Sequence, residues 1–182
     1  MPANPASNSR PSHWVQHYMG LIRPGGRVLD LACGSGRHTR LLHAHNYTVI
    51  AADRDLANLA DLKNTDRVEL RQLDLEAPDW PFQAEKFAGI IVSNYLYRPH
   101  LQTLITNLDE DGVLIYTTFA AGNEAYGRPS NPAFLLQPDE LLDTFSQQLF
   151  IIAYEQATEY DPAPAVRQQI CATGMKHPAA SD

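Results

Sequence analysis

Cysteine is scarce in this chain: there are two, Cys33 and Cys171, far apart and each within an apolar stretch. That provides neither a disulfide framework nor a zinc ligand cluster, and it fits a reduced cytoplasm. No apolar run approaches the roughly 18 to 20 residues that cross a bilayer, so no membrane span is expected. The first twelve residues, rich in Pro, Asn and Ser, lack the apolar segment of a secretory signal. Residues 1–11 read as a disordered lead-in to one domain over residues 12–182. Cationic charge is also short, with 14 Lys and Arg against 21 Asp and Glu and a net charge of -7. That balance argues against a nucleic-acid partner and favours a small molecule, although Arg37, Arg40, Arg54 and Arg98 are candidates for a local basic patch. His13 and His17 have the spacing of two ligands on one helix face, but no third ligand accompanies them, so no metal site is expected. Monomer and homodimer are both compatible with the composition.

What the sequence does contain is ordinary globular material, 44% apolar and 19% charged over 182 residues. No internal repeat is visible. Ser12 is placed to cap a first helix bearing Trp14, Val15, Tyr18, Met19 and Ile22, which Pro24-Gly25-Gly26 stops. Strands are predicted at residues 27–31, 48–52, 68–73, 88–93 and 113–119, the fourth apolar throughout as in a strand buried on both faces. Helices are predicted between them: from Gly36 to about 43, over 55–63, and after Pro99 with Leu101, Leu104, Ile105 and Leu108. Asp111-Gly112 reads as a turn, and a helix is expected near 138–145. Residues 149–154 and 166–172 are two strand-like runs with no helix between them, and should pair antiparallel. The outline is an α/β fold: a doubly wound, mostly parallel seven-stranded Rossmann-like sheet ending in an antiparallel hairpin.

The strongest local signal is Val28-Leu29-Asp30-Leu31-Ala32-Cys33-Gly34-Ser35-Gly36-Arg37-His38-Thr39, a strand entering a two-glycine turn and then a helix. The glycines permit a tight turn and a close ligand approach, and free N–H groups at a new helix favour an anionic group. Asp53 ends the next strand 19 residues after Gly34, near the offset at which a carboxylate meets a ribose in nucleotide-binding sheets. The turn alone is explained as well by simple chain reversal; Asp53 in register with it favours a ligand.

At these residues the chain resembles class I S-adenosylmethionine (SAM)-dependent methyltransferases, whose first motif places an acidic residue before Gly-x-Gly. Asp30, Asp53, Leu73-Asp74-Leu75 and the terminal hairpin carry the resemblance, which spans nearly the whole chain. More narrowly, the chain is similar to small bacterial methyltransferases of the tellurite-resistance type, which lack a large appended substrate domain. The resemblance implies SAM as cofactor, with backbone contacts at Ala32, Gly34 and Gly36 and the ribose on Asp53. It also implies that Asp74 and Leu75 flank the adenine and that Asn94 lies near the sulfonium. Asp30, Arg54 and Trp14, which with Tyr18 could pack over the cofactor, complete the expected cofactor set, although an amphipathic helix covering the core explains Trp14 and Tyr18 just as well. A nicotinamide-binding domain would more often carry a third glycine near Thr39 and would not end in a hairpin.

The methyl group of SAM is already activated, so alignment and water exclusion suffice and no catalytic side chain can be assigned. Candidates for a proton acceptor are Tyr95, Tyr97, His100, Glu124 and Tyr126, near the carboxyl ends of the fourth and fifth strands. The run Ser93-Asn94-Tyr95-Leu96 is not the Asn-Pro-Pro-Tyr motif of many amino-methylating enzymes of nucleic acids. The expected function is a cytoplasmic methyltransferase acting on a small-molecule methyl acceptor, with the loop over residues 120–132 choosing that acceptor. An RNA or protein methyltransferase, a non-catalytic SAM-binding protein and a dinucleotide-dependent oxidoreductase are the alternatives.

Overall fold

The structure, a computed structural model, describes residues 10–174. Of the lead-in expected over residues 1–11, residues 1–9 lie outside the described residues. Seven strands form one sheet in the order β3-β2-β1-β4-β5-β7-β6. They are β1 (Arg27–Leu31), β2 (Thr48–Asp53), β3 (Val68–Gln72), β4 (Phe87–Ser93), β5 (Leu108–Phe119), β6 (Leu149–Glu159) and β7 (Ala165–Gly174). β1 to β5 are parallel, and β7 runs antiparallel to both β5 and β6. The mostly parallel sheet with its terminal hairpin is the one the alternation of the sequence predicts.

Period-two side-chain alternation divides the core. Leu29, Leu31, Ile50, Ile90, Val92, Leu114 and Tyr116 face one layer, built from Trp80, Phe82, α3 (Leu101–Thr106) and α4 (Glu140–Phe145). Val28, Val49, Ile91, Val113, Ile115 and Cys171 face the other, closed by Val15 and Met19 at the N-terminal helix and by Leu42 of α2 (Arg37–Ala44). Both thiols are free and buried, and burial pushes the Cys171 thiol up to about 12. Among the described residues, no helix is long and apolar enough to cross a membrane.

The helices depart most from expectation. The first is six residues long, α1 (His13–Tyr18), and continues as a 3-10 turn at Met19–Leu21; Ser12 caps it with no side-chain hydrogen bond. The helix expected over 55–63 is a 3-10 segment, Ala57–Leu62, broken at Leu59. Leu56, Leu59 and Leu62 recur every third residue, which suits three residues per turn better than 3.6. Pro99 opens a 3-10 turn at Arg98–His100 ahead of α3, and Leu108 already belongs to β5. Asp111-Gly112 falls within the span of β5, in an excursion over residues 109–112 that has no partners in β4, so that the register shifts from Phe87 beside Leu108 to Gly89 beside Val113.

Candidate functional site

The chain order reverses between β1 and β4, so the crossovers diverge there and leave a crevice at the strands' carboxyl ends. Two non-glycine residues with left-handed backbone mark it: Ala32, just after β1 (φ 54°), and Asn94, just after β4 (φ 57°). Strained backbone of this kind is retained where neighbouring structure enforces it, often at functional sites. Both residues line a cavity of about 510 Å³, within the usual size of a ligand site.

The glycine turn forms one wall. A Cβ on Gly36 (φ 75°) would lie 2.8 Å from the Arg40 guanidinium and 3.1 Å from Leu59, so this position accepts little beyond glycine. A Cβ on Gly34 (φ 55°) would meet nothing within 4 Å. The turn is anchored from below by Asp30, 1% exposed, whose carboxylate accepts from the Thr39 hydroxyl at 2.5 Å. Burial pushes the Asp30 carboxyl up to about 6. From above, the Ser12 backbone N–H donates to His38 Nε2 at 3.0 Å, which fixes the protonated nitrogen as Nδ1 when the ring is neutral. Burial and the neighbouring Arg37 push His38 down to about 3. Arg37 donates to the Arg10 carbonyl at 3.1 Å and to the Ser93 hydroxyl at 2.9 Å, so residues 10–12 strap across the start of α2.

Asp53 stands opposite the turn. One carboxylate oxygen accepts from the Gly34 N–H at 2.8 Å, the other from the Asp55 N–H at 3.1 Å. Its side chain is thereby aimed before any ligand arrives. Asp74, Leu75 and Glu76 border the cavity after β3, and the Asp74 carboxylate accepts from the Glu76 N–H at 3.0 Å.

Of the residues singled out from sequence, Ala32, Gly34, Asp53, Arg54, Asp74, Leu75, Asn94 and Tyr95 surround this one cavity. Asp30 and Gly36 lie behind it as supports. Trp14 does not line it: the indole packs on Tyr18 at 4.7 Å against the core layer of α1, with its Nε1 unpaired among the described residues. Tyr95 is a wall whose hydroxyl donates to the Leu75 carbonyl at 3.3 Å, and burial raises its phenol well above the ordinary value. His100 is turned away, its Nε2 3.0 Å from the Ala77 carbonyl and its ring against Trp80 and Tyr97. Glu124 is turned back on its own loop, where it accepts from the Gly122 N–H at 2.8 Å. Tyr126 lines a second cavity, of about 720 Å³, that meets the first at Asn94 and Phe134.

Arg37, His38, Ser93 and Phe134 line the first cavity without having been assigned to the cofactor from sequence. Arg37 and His38 carried a signal, as the first residues after the turn. Phe134 carried none, because its place depends on Arg98, which donates to the carbonyls of Ala133 and Leu135 at 2.8 Å each and pairs with Glu140 at 2.6 Å. Arg98 is thereby neutralised, as Arg40 is by Asp61 at 2.6 Å, so neither adds to a basic patch.

Residues 28–110 match a family described as a methyltransferase domain. No curated protein matches the chain by sequence. Among solved structures, TehB from Haemophilus influenzae superposes with a TM-score of 0.71 at 18% identity, covering 93% of this chain and 64% of TehB. The chain thus spans a little under two thirds of that protein's length. A TehB-like SAM-dependent methyltransferase from Corynebacterium glutamicum superposes at 0.65 with 17% identity, over 93% of this chain and 91% of the other. Burkholderia thailandensis 1,6-didemethyltoxoflavin-N1-methyltransferase, solved with 1,6-didemethyltoxoflavin and S-adenosylhomocysteine, superposes at 0.66 with 18% identity over 90% and 76%. Residues 28–110 thus match the methyltransferase-domain family, and the fold of the chain is similar to that of TehB and of the TehB-like SAM-dependent methyltransferase.

Proposed function

We propose that the protein is a SAM-dependent methyltransferase whose acceptor is a small molecule. The observation that carries this reading is the pair of joined cavities at the topological switch point. One is walled by the glycine turn and acidic side chains, the other by the 123–131 loop and β7. The residues present suit the cofactor. The open space over Gly34 admits a ligand close to the backbone, and Asp53 is held where a hydroxyl pair could replace its loop contacts. Asp74 offers an acceptor to an amine, and Leu75 an apolar flank. The cofactor supplies an electrophilic methyl group on sulfur. The chain's own part is to hold that group at Asn94, to direct the acceptor at it in line, and to keep water out with Tyr95 and Phe134. A compact acceptor is favoured because the net charge of -7 and the paired Arg40 and Arg98 leave no broad basic face for a polyanion. A cytoplasmic location and either a monomer or a homodimer fit this reading.

The test is transfer of labelled methyl from SAM into a fractionated extract, with nuclease- and protease-treated portions. Label that stays in the low-molecular-weight fraction after both treatments is the expected result. Label that disappears with nuclease or protease treatment would assign the enzyme to RNA or protein.

A further inference from the structure

We propose that the methyl acceptor is a small organic anion, a carboxylate on an apolar body, seated in the second cavity between Arg128 and Arg167. This rests on the methyltransferase reading and adds the chemical class of the acceptor to it. The charged side chains lining that cavity are these two arginines; among the described residues no Asp, Glu, His or Lys lines it. Glu159 pairs with Arg167 from outside the lining, so the uncompensated cation of this cavity is Arg128, in a chain of net charge -7. The neighbouring cavity is mixed, with Asp53, Asp74 and Glu76 as well as Arg37 and Arg54 on its walls. Phe119, Tyr126, Phe134 and Pro129 supply the apolar part of the second cavity.

Arg167 stands on β7 opposite Phe119, with its guanidinium 4.2 Å from the centre of that ring. Its Nε lies 3.0 Å from Glu159, and one terminal nitrogen donates to the Asn94 side-chain oxygen at 2.6 Å. These contacts engage two of the five guanidinium N–H groups and fix its plane, leaving donors for a planar anion. Burial pulls the Arg167 pKa down; Glu159 opposes that and Arg37 adds to it, so a further anion would ease the remaining load. Arg128 is exposed at the cavity rim, with no ion-pair partner among the described residues. Asn94 belongs to both cavities, so an anion on Arg167 lies at the junction where the methyl group is delivered.

Among the described residues, no Asp, Glu or His of the lining is placed to take a proton from the acceptor, which favours a nucleophile that carries a free lone pair and no proton to lose. A carboxylate meets that requirement. Its oxygen forms the bond to the methyl carbon as the carbon–sulfur bond breaks and its electron pair returns to sulfur, and no proton has to leave.

The test is calorimetry on the full chain saturated with S-adenosylhomocysteine, titrated with benzoate and phenylacetate and, in parallel, with benzamide and phenylacetamide. The acids should bind about tenfold or more tightly than the matching amides, the scale of one hydrogen bond to a charged group. Arg128→Gln and Arg167→Gln should each bring that ratio toward unity. Acids that bind no better than amides, or a preference that survives in both variants, would overturn the inference. Arg128 is exposed, so its variant decides the matter even if Arg167→Gln fails to fold. Failure of S-adenosylhomocysteine itself to bind would instead remove the methyltransferase reading beneath it.

Discussion

Replacing Asp53 by alanine removes the two carboxylate oxygens that accept from the backbone N–H groups of Gly34 and Asp55. If the carboxylate also holds the ribose, Asp53→Ala should weaken S-adenosylhomocysteine binding by about 1 to 3 kcal/mol. A variant that melts lower but binds with unchanged affinity would make Asp53 a loop strut. On either side of the same turn, Asp30 and His38 titrate in opposite senses. Folding raises the Asp30 carboxyl from 3.8 to about 6. The folded state therefore holds a proton that the unfolded state has released, and acidification across that window adds stability. Folding lowers His38 from 6.5 to about 3, so the folded state lacks a proton that the unfolded state binds, and acidification across that window removes stability. Each slope is about 1.4 kcal/mol per pH unit, and the two nearly cancel between 3.8 and 6. Asp30→Asn should lose stability on acidification more steeply than the wild type, and His38→Gln should gain it; denaturant titrations between pH 4 and 7 measure both. An Asp30→Asn variant with the wild-type slope would show that the buried carboxyl titrates normally.

The segment around Pro132–Phe134 reaches the site through Arg98, not through its own sequence. Arg98 draws on two of its carbonyls and pairs with Glu140 at the start of α4. Arg98→Gln should therefore free Phe134 from both cavities. The expected result is faster amide exchange over residues 132–136, a stability loss of about 1 to 2 kcal/mol and weaker S-adenosylhomocysteine binding. Unchanged exchange there would show that Asn131, which caps Ala133, holds the turn alone. This element was illegible in the sequence because its partner lies 35 residues away. The glycine turn was legible for the opposite reason: Gly34, Gly36 and the strand before them settle the geometry locally. Between these extremes stands the 3-10 segment at Ala57–Leu62. Its leucines are spaced for three residues per turn, a signal close enough to helical spacing to be read as one.

At the scale of the whole molecule, the short helix-free connection before Ala165 became the β6–β7 hairpin. The connection over residues 73–86 is also helix-free but carries the chain from β3 at the sheet edge across to β4 beside β1, so helix content alone did not settle the strand order. Asp53 entered the site because β1 and β2 pair in register with Leu31 beside Ala52. His100 and Glu124 were drawn to the reacting atoms by strand-end position alone, and their local partners, Ala77 and Gly122, turn them elsewhere. The central claim is that the switch-point cavity takes S-adenosylmethionine, and a calorimetric titration of the full chain with S-adenosylhomocysteine and, separately, with NAD tests it most directly. Saturable one-to-one binding of S-adenosylhomocysteine with no heat from NAD is the predicted result. Preferential binding of NAD, or no binding of S-adenosylhomocysteine to the folded protein, would contradict it.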